Sequence, residues 1–273
     1  MIILLTWSQN TSMPRFLDHS HSGIRLKVIT TDQEIRAVLE ESMGVLSEEE
    51  MRNAALYRDL EDQKSYCVAH AIKRQMLSEI DREIRGESIA IPPEDWLFGS
   101  TIYGRPVVRQ EIGRIYTFSL SHTRTAAACV VSARPHMGVG VDIEAMFTCP
   151  LEPLLEEHIL TDEEIESLVG CSSPERARLQ TRLWTLKEAW LKATGLGLNL
   201  PMGRAGFRLD GSLFENAEIP DWIEDDCRLL GSGLQNNYCW SAVTTDLRRS
   251  EAAKPELKGD LVGRLRHQEC LPE

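Results

Sequence analysis

The feature that most narrows the fold of this chain is an order of elements that occurs twice. Ser47-Glu-Glu-Glu50 opens a helix as a capping box, because Ser47 accepts from the Glu50 amide while Glu50 reaches back. The spacing then predicts a long helix over residues 62–80, where Cys67, Ala71, Ile72, Met76 and Ile80 recur at helical intervals without Gly or Pro. Three short β-type runs follow: IYTFSLSH from Ile115, AAACVVSA from Ala126 and GVGVDIEA from Gly138. Thr161-Asp-Glu-Glu164 is a second capping box. A second long helix is expected over 175–194, after the break at Ser172-Ser-Pro174, with Gly195 and Gly197 to stop it. A strand over 24–30 precedes the first helical set, and strands over 206–209 and 238–244 close the second. The stretches before and after about residue 139 thus have similar content, as an internal duplication of an α+β unit would give.

Boundaries follow from composition. Residues 1–22 read as a lead-in, rich in Ser, Thr, His and Pro toward its end and carrying His19 and His21; the folded part begins near Gly23 and a charged tail occupies 246–273. With 273 residues, 42% of them hydrophobic, the chain can build one large core or two smaller ones. The formal net charge of −12 argues against nonspecific binding to nucleic acid or to a membrane surface, both of which need a basic field. Seven cysteines, widely spaced and without a Cys-x-x-Cys, suggest neither a disulfide framework nor a zinc site, so a reducing cytoplasm is expected. The apolar opening Met1–Trp7 is too short for a membrane span.

Four short motifs carry potential chemistry. In Gly138-Val-Gly-Val-Asp142-Ile-Glu144, two carboxylates two apart on a strand project from one face, which suits hard oxygen ligation of Mg²⁺ and equally suits a plain solvated edge. Glu188 and Lys192 lie four apart on one helix face, beside an apolar stripe of Leu183, Leu186, Trp190 and Ala193. Such a pair is commonly a surface ion pair worth a few tenths of a kcal/mol; the functional alternative has Lys192 neutralising a phosphate and Glu188 acting as metal ligand or base. Ser121-His122 offers a hydroxyl and an imidazole to an anion. Tyr103-Gly-Arg-Pro106 reads as a turn in which Arg105 is free for a bidentate phosphate contact.

In order along the chain, Tyr103-Gly-Arg-Pro106, Phe118-Ser-Leu-Ser-His122, Gly140-Val-Asp-Ile-Glu144 and Trp184-Thr-Leu-Lys-Glu-Ala-Trp-Leu-Lys192 resemble the motif set of surfactin-type phosphopantetheinyl transferases, over residues 24–245. The resemblance implies two pseudo-symmetric α/β halves, 23–138 and 139–245, with coenzyme A bound in the cleft between them. It implies that Asp142, Glu144 and Glu188 hold Mg²⁺, that Glu188 is the base for the acceptor hydroxyl, and that Lys192 contacts phosphate. By the same resemblance Ser121 and His122 grip the coenzyme A phosphates, His122 the 3′-phosphate. Arg105 stands where the family has Lys, and Arg52 falls near a basic nucleotide-contacting position. Glu164 matches an acidic position near the site, Lys64 is a looser match, and Glu49 stands where relatives can carry Lys.

The implied reaction is transfer of phosphopantetheine from coenzyme A to a serine of an acyl or peptidyl carrier protein, releasing 3′,5′-ADP, by a cytoplasmic monomer. The docking surface for the carrier is expected on a loop over 145–160, where Met146, Phe147, Leu151 and Leu154 are apolar. Two rival readings use the same residues: a metal-dependent phosphohydrolase, and a non-catalytic binder of coenzyme A or carrier.

Overall fold

The computed structural model describes residues 17–19, 23–101, 103–110, 115–195, 197, 200–213 and 227–247. In chain order the elements are β1 (Leu17–His19), β2 (Ile24–Ile29), α1 (Asp32–Ser42), α2 (Glu48–Ala54), α3 (Leu60–Arg85), β3 (Phe98–Ser100), β4 (Pro106–Val108), β5 (Thr117–Thr123), β6 (Ala126–Ser132) and β7 (Met137–Ala145). They continue with α4 (Pro153–Ile159), α5 (Asp162–Ser167), α6 (Ser173–Thr194), β8 (Arg228–Gln235) and β9 (Tyr238–Asp246). One antiparallel sheet has the order β1-β2-β6-β5, a second has β7-β9-β8, and β3 and β4 form a separate ribbon.

Strand alternation explains the layering. In β6, Ala127, Cys129 and Val131 face α3, where Val68, Ile72 and Leu77 meet them. The alternate residues Ala126, Ala128 and Val130 face Val139, Val141 and Ile143 of the second sheet. Leu183, Leu186 and Trp190 of α6 close the far side against Val243 and Phe207. The layers therefore run α3, first sheet, second sheet, α6, and every residue of β6 is buried because both faces are covered. Each fully buried large apolar side chain contributes about 1.5–3 kcal/mol relative to exposure.

Both capping boxes form, at Ser47/Glu50 and at Thr161/Glu164. Helix α3 runs beyond both of its expected ends, α6 starts two residues early and ends at Thr194 as expected, and Gly195 stops α6 in the left-handed conformation at φ 80°. Four local expectations need correction. Leu17–His19, placed in a loose lead-in, pairs with β2 at the sheet edge, where backbone bonds need no apolar side chain. Residues 206–209 make only a single bridge, Phe207 to Leu213, and the strand beside β9 is instead Arg228–Gln235. Part of the expected loop 145–160 is helix α4, started by Pro153 at its first turn and tied down by Glu156, which accepts from Arg176 and Gln180. Asp32–Ser42 adds a helix, α1, between the first strand and the first capping box. Most of the two terminal segments, residues 1–16, 20–22 and 248–273, lies outside the described residues. Among the described residues no helix is long and apolar enough to cross a membrane.

Candidate active site

The glycines of β7 determine how closely α6 approaches. A Cβ on Gly138 would lie 2.2 Å from the Ala193 carbonyl oxygen, and one on Gly140 only 1.8 Å from that of Ala189. Only Gly fits there, so the α6 backbone rests directly on the strand. Period two places Asp142 and Glu144 on this same helix-facing side, and α6 brings Glu188 and Lys192, which flank Ala189 and Ala193 in sequence, to meet them.

Asp142 is buried, 2% exposed. Its Oδ1 accepts from Lys192 Nζ at 2.7 Å and from Ser121 Oγ at 2.8 Å, while its Oδ2 is buried without a partner. Lys192 also donates to the Val141 carbonyl at 3.2 Å. Glu144 is pushed up to about 7, first by burial and then by the charges of Asp142 and Glu188, against which Lys192 pulls down. Glu188 is raised as well, by burial and then by Asp142. Three mutually repelling carboxylates, one with an orphaned oxygen, have the oxygen chemistry that a hard divalent cation prefers. Among the described residues, however, no three His, Cys, Asp or Glu side chains are gathered tightly enough to hold a metal ion.

Lys192 also belongs to the wall of a cavity of about 820 Å³, within the range of roughly 300–1,000 Å³ usual for ligand pockets. Its wall includes Tyr103, Arg105, Gly195 and Gly197 and also Glu50, Tyr66, His70, Lys73, Arg74 and Phe98. Asp142, Glu144 and Glu188 are not on this wall, so the acidic cluster and the cavity meet at Lys192. Arg105 enters the cavity with its Nη2 buried and unpartnered, and burial lowers its guanidinium to about 10. An unpaired buried guanidinium is a ready anion contact.

The other expected residues separate. Ser121 and His122 are neighbours on β5 and therefore face opposite sides. Ser121 gives its proton to Asp142. His122 turns toward α3, with Nε2 3.4 Å from the Tyr57 hydroxyl, Nδ1 3.4 Å from Ser65 Oγ, and its ring edge-on to Tyr57 and Tyr66. Burial lowers its pKa. Arg52 is not at the cavity: its side chain is 70% exposed and pairs with Glu48 at 3.5 Å, because it sits on the outer face of α2. Lys64 pairs with Glu61, one turn away on α3, and Glu49 reaches the cavity rim. Glu164 is not on the cavity wall: it is fully buried and pairs with Lys187 at 2.8 Å. In the expected docking segment, Phe147 packs edge-on against Trp184, Leu151 packs against the second core and Leu154 is 70% exposed.

A second group was not singled out from sequence. Glu50 accepts from Lys73 at 2.7 Å and from Arg74 at 2.8 Å, and His70 Nδ1 lies 3.0 Å from the same carboxylate. Lys73 Nζ sits 3.6 Å from the centre of the Phe98 ring. Burial alone would raise the Glu50 carboxyl, but hydrogen bonds from His70 and Lys73 and the Lys73 charge hold it far below the usual range. Burial lowers His70 to about 4 and Lys73 to about 8, Glu50 opposing both. The available signal was two adjacent cations, Lys73-Arg74, inside a helix otherwise spaced for burial.

The family model described as the 4'-phosphopantetheinyl transferase superfamily matches residues 138–252. The 4'-phosphopantetheinyl transferase psf-1 of Bacillus pumilus is 28% identical over 214 residues, covering 78% of this chain and 84% of the relative. The 4'-phosphopantetheinyl transferase Sfp of Bacillus subtilis (strain 168) is 23% identical over 182 residues, covering 67% and 75%. A solved holo-[acyl-carrier-protein] synthase of Thermotoga maritima aligns over 41% of this chain and 64% of its own at 20% identity, with a TM-score of 0.31. Motifs, family match and relatives agree in likening this chain to the 4'-phosphopantetheinyl transferases of the surfactin type.

Proposed function

We propose that this transferase moves the phosphopantetheine of coenzyme A onto a serine of an apo acyl or peptidyl carrier protein, with Mg²⁺ held by Asp142, Glu144 and Glu188 and with 3′,5′-ADP released. The observation that carries the reading is Lys192, which joins the acidic cluster to the cavity through its bond to Asp142. The nucleotide end of coenzyme A lies in the cavity, with Arg105 on phosphate, and the pyrophosphate crosses Lys192 toward the acids. When bound, the cation offsets charge on the pyrophosphate and polarises the phosphorus under attack.

The raised Glu188 is suited to take the proton of the carrier serine. The serine oxygen then bonds to the β-phosphorus as the bridging phosphorus–oxygen bond breaks, and the electron pair leaves on 3′,5′-ADP. Lys192 has three N–H donors; two are committed to Asp142 and Val141, leaving one for the departing oxygen. We further divide the chain at residue 139 into a nucleotide-binding half and a half carrying the acids, and place the carrier near exposed Leu154 and Leu155. The cysteines of the described residues are all free, which supports a reducing cytoplasm, and a cleft completed within one chain supports a monomer.

The test is the intact mass of an apo carrier protein after incubation with this protein, coenzyme A and Mg²⁺. A gain of one phosphopantetheine, lost with Glu188→Gln and with EDTA, is expected. Release of 3′,5′-ADP without any gain on the carrier would sink the reading in favour of a hydrolase that uses water in place of the serine.

A further inference from the structure

The ribbon of β3 and β4 pairs with neither large sheet, so its place at the cavity depends on what holds its base. Phe98 and Val108 pack it on the first core, and apolar contact of that kind holds a surface without giving it direction. Direction comes from Arg74 on α3, which is 2% exposed. Its Nη1 donates to the carbonyls of Pro93, Glu94 and Trp96 at 2.9, 3.2 and 3.1 Å, and its Nε donates to Glu50 at 2.8 Å. One guanidinium thus ties the segment that leads into β3 both to α3 and to the capping box of α2. At the tip of the ribbon, the Thr101 amide donates to the Arg105 carbonyl at 2.8 Å, and Thr101 Oγ1 accepts from the Arg105 amide at 3.1 Å. Arg105 then reaches α6: a Cβ on Gly195 would lie 3.0 Å from Arg105 Cδ.

From this geometry we infer that Arg74 is a positioning residue for Arg105: by fixing the base of the ribbon, it sets how far the Arg105 guanidinium extends toward α6 and the ligand between them. The inference rests on the reading of Arg105 as a phosphate contact for coenzyme A. Arg105 Nη2 is buried without a partner, so the place of that nitrogen follows the turn that carries it. Lysine cannot do the work of Arg74, because a single ammonium has no planar fork with which to engage a carboxylate and three carbonyls at once. A residue that acts through another leaves a thermodynamic mark, since the losses from removing the two are not additive. A second clasp on the same helix separates holding the fold from holding the site. Arg85 donates to Asp81 at 2.6 Å and to the Ile89 carbonyl at 2.7 Å, and it is not on the cavity wall.

Coenzyme A binding to the full chain, measured by calorimetry in EDTA beside thermal melting, tests this. Arg74→Lys is expected to weaken coenzyme A about fivefold, and to add no more than about twofold once Arg105→Ala is already present. Arg85→Lys is expected to lower the melting temperature while coenzyme A affinity stays within about twofold. Should Arg74→Lys fold poorly, Gln110→Ala loosens the same base from its outer side, where the Gln110 side chain accepts from the Leu97 amide at 3.2 Å and donates to the Asp95 carbonyl at 2.9 Å. It is expected to weaken coenzyme A about threefold, again only with Arg105 in place. A lower melting temperature for Arg74→Lys with unchanged coenzyme A affinity would overturn the inference and leave Arg74 to the scaffold. Losses from Arg74→Lys and Arg105→Ala that add in full would overturn it as well, because Arg74 then meets the ligand itself. If Arg105→Ala alone leaves affinity untouched, the reading beneath the inference is what fails.

Discussion

Two regions of this molecule use one local device for different ends. Each capping box supplies a glutamate at its third helical position, Glu50 on α2 and Glu164 on α5, and each glutamate reaches a buried lysine on the following long helix, Lys73 on α3 and Lys187 on α6. Around Glu164 everything is matched. Lys187 donates to Glu164 and to the carbonyls of Met202 and Ala205, while Glu164 also accepts from the Thr161 and Phe207 amides. Around Glu50 one carboxylate faces two basic side chains, Lys73 and Arg74, while His70 Nδ1 lies 3.1 Å from Lys73 Nζ and the Phe98 ring covers that ammonium. The first arrangement is closed; the second keeps an excess positive charge on the wall of a cavity. Surplus charge, rather than burial or pairing as such, is what separates a ligand wall from scaffolding.

Glu164→Ala gives the largest expected effect on stability. It strands Lys187 as a buried unpaired ammonium and frees the loop that ends in Phe207, which costs about 3–5 kcal/mol. Urea unfolding measures the loss, and coenzyme A is expected to bind the folded fraction as it binds the wild type. A loss under 1 kcal/mol would remove the contrast, because the closed pair would then be as dispensable as a surface pair.

Lys73→Met sharpens the other side. Arg74 remains on Glu50, so the fold is retained, while the surplus charge is gone and the helix keeps a side chain of similar length. Coenzyme A is expected to bind about tenfold more weakly, in line with loss of one charged contact of about 1.5 kcal/mol. Affinity within twofold of wild type would mean that the charge at Glu50 is internal and the wall unselective.

The same contrast shows what could be read from the chain beforehand. Capping boxes, the two long helices, the glycine stop and the Asp-x-Glu strand depend on spacing within a few residues, and all were legible. The facing of Ser121 away from His122 also follows from period two, and the fold gives them different partners, Asp142 for Ser121 and the α3 side for His122. Strand β8 was missed because Gly231 and Gly233 look like turn residues. In the fold Gly233 makes room for Trp240, and a Cβ there would come within 2.7 Å of the indole nitrogen. The Glu50 cluster joins residues more than twenty positions apart, and nothing in local spacing pairs them.

A pH titration probes the acidic cluster against both hubs. The Glu144 carboxyl rises from an ordinary 4.5 to about 7, so between those values the folded protein retains a proton that the unfolded chain has released. In EDTA the melting temperature is therefore expected to fall by a few degrees as pH rises through that window. Mg²⁺ is expected to restore it above pH 7, and Glu144→Gln to flatten the slope. Glu50, with its lowered carboxyl, has the opposite sign: its contribution is present above the ordinary range and fades only in strong acid.

The smallest effect is expected at Arg52, and it is informative for that reason. Sequence placed both Arg52 and Arg105 on the nucleotide, whereas the fold gives Arg52 to solvent and to Glu48, and gives Arg105 a buried, unpaired nitrogen in the cavity. An exposed pair one helical turn apart contributes little and is screened by salt. Arg52→Ala is therefore expected to leave the dissociation constant of coenzyme A within about twofold at 0.15 M salt, while Arg105→Ala raises it several-fold. Should the two variants weaken binding equally, α2 must turn inward around the bound nucleotide, and the cavity wall would then include a face that is now exposed.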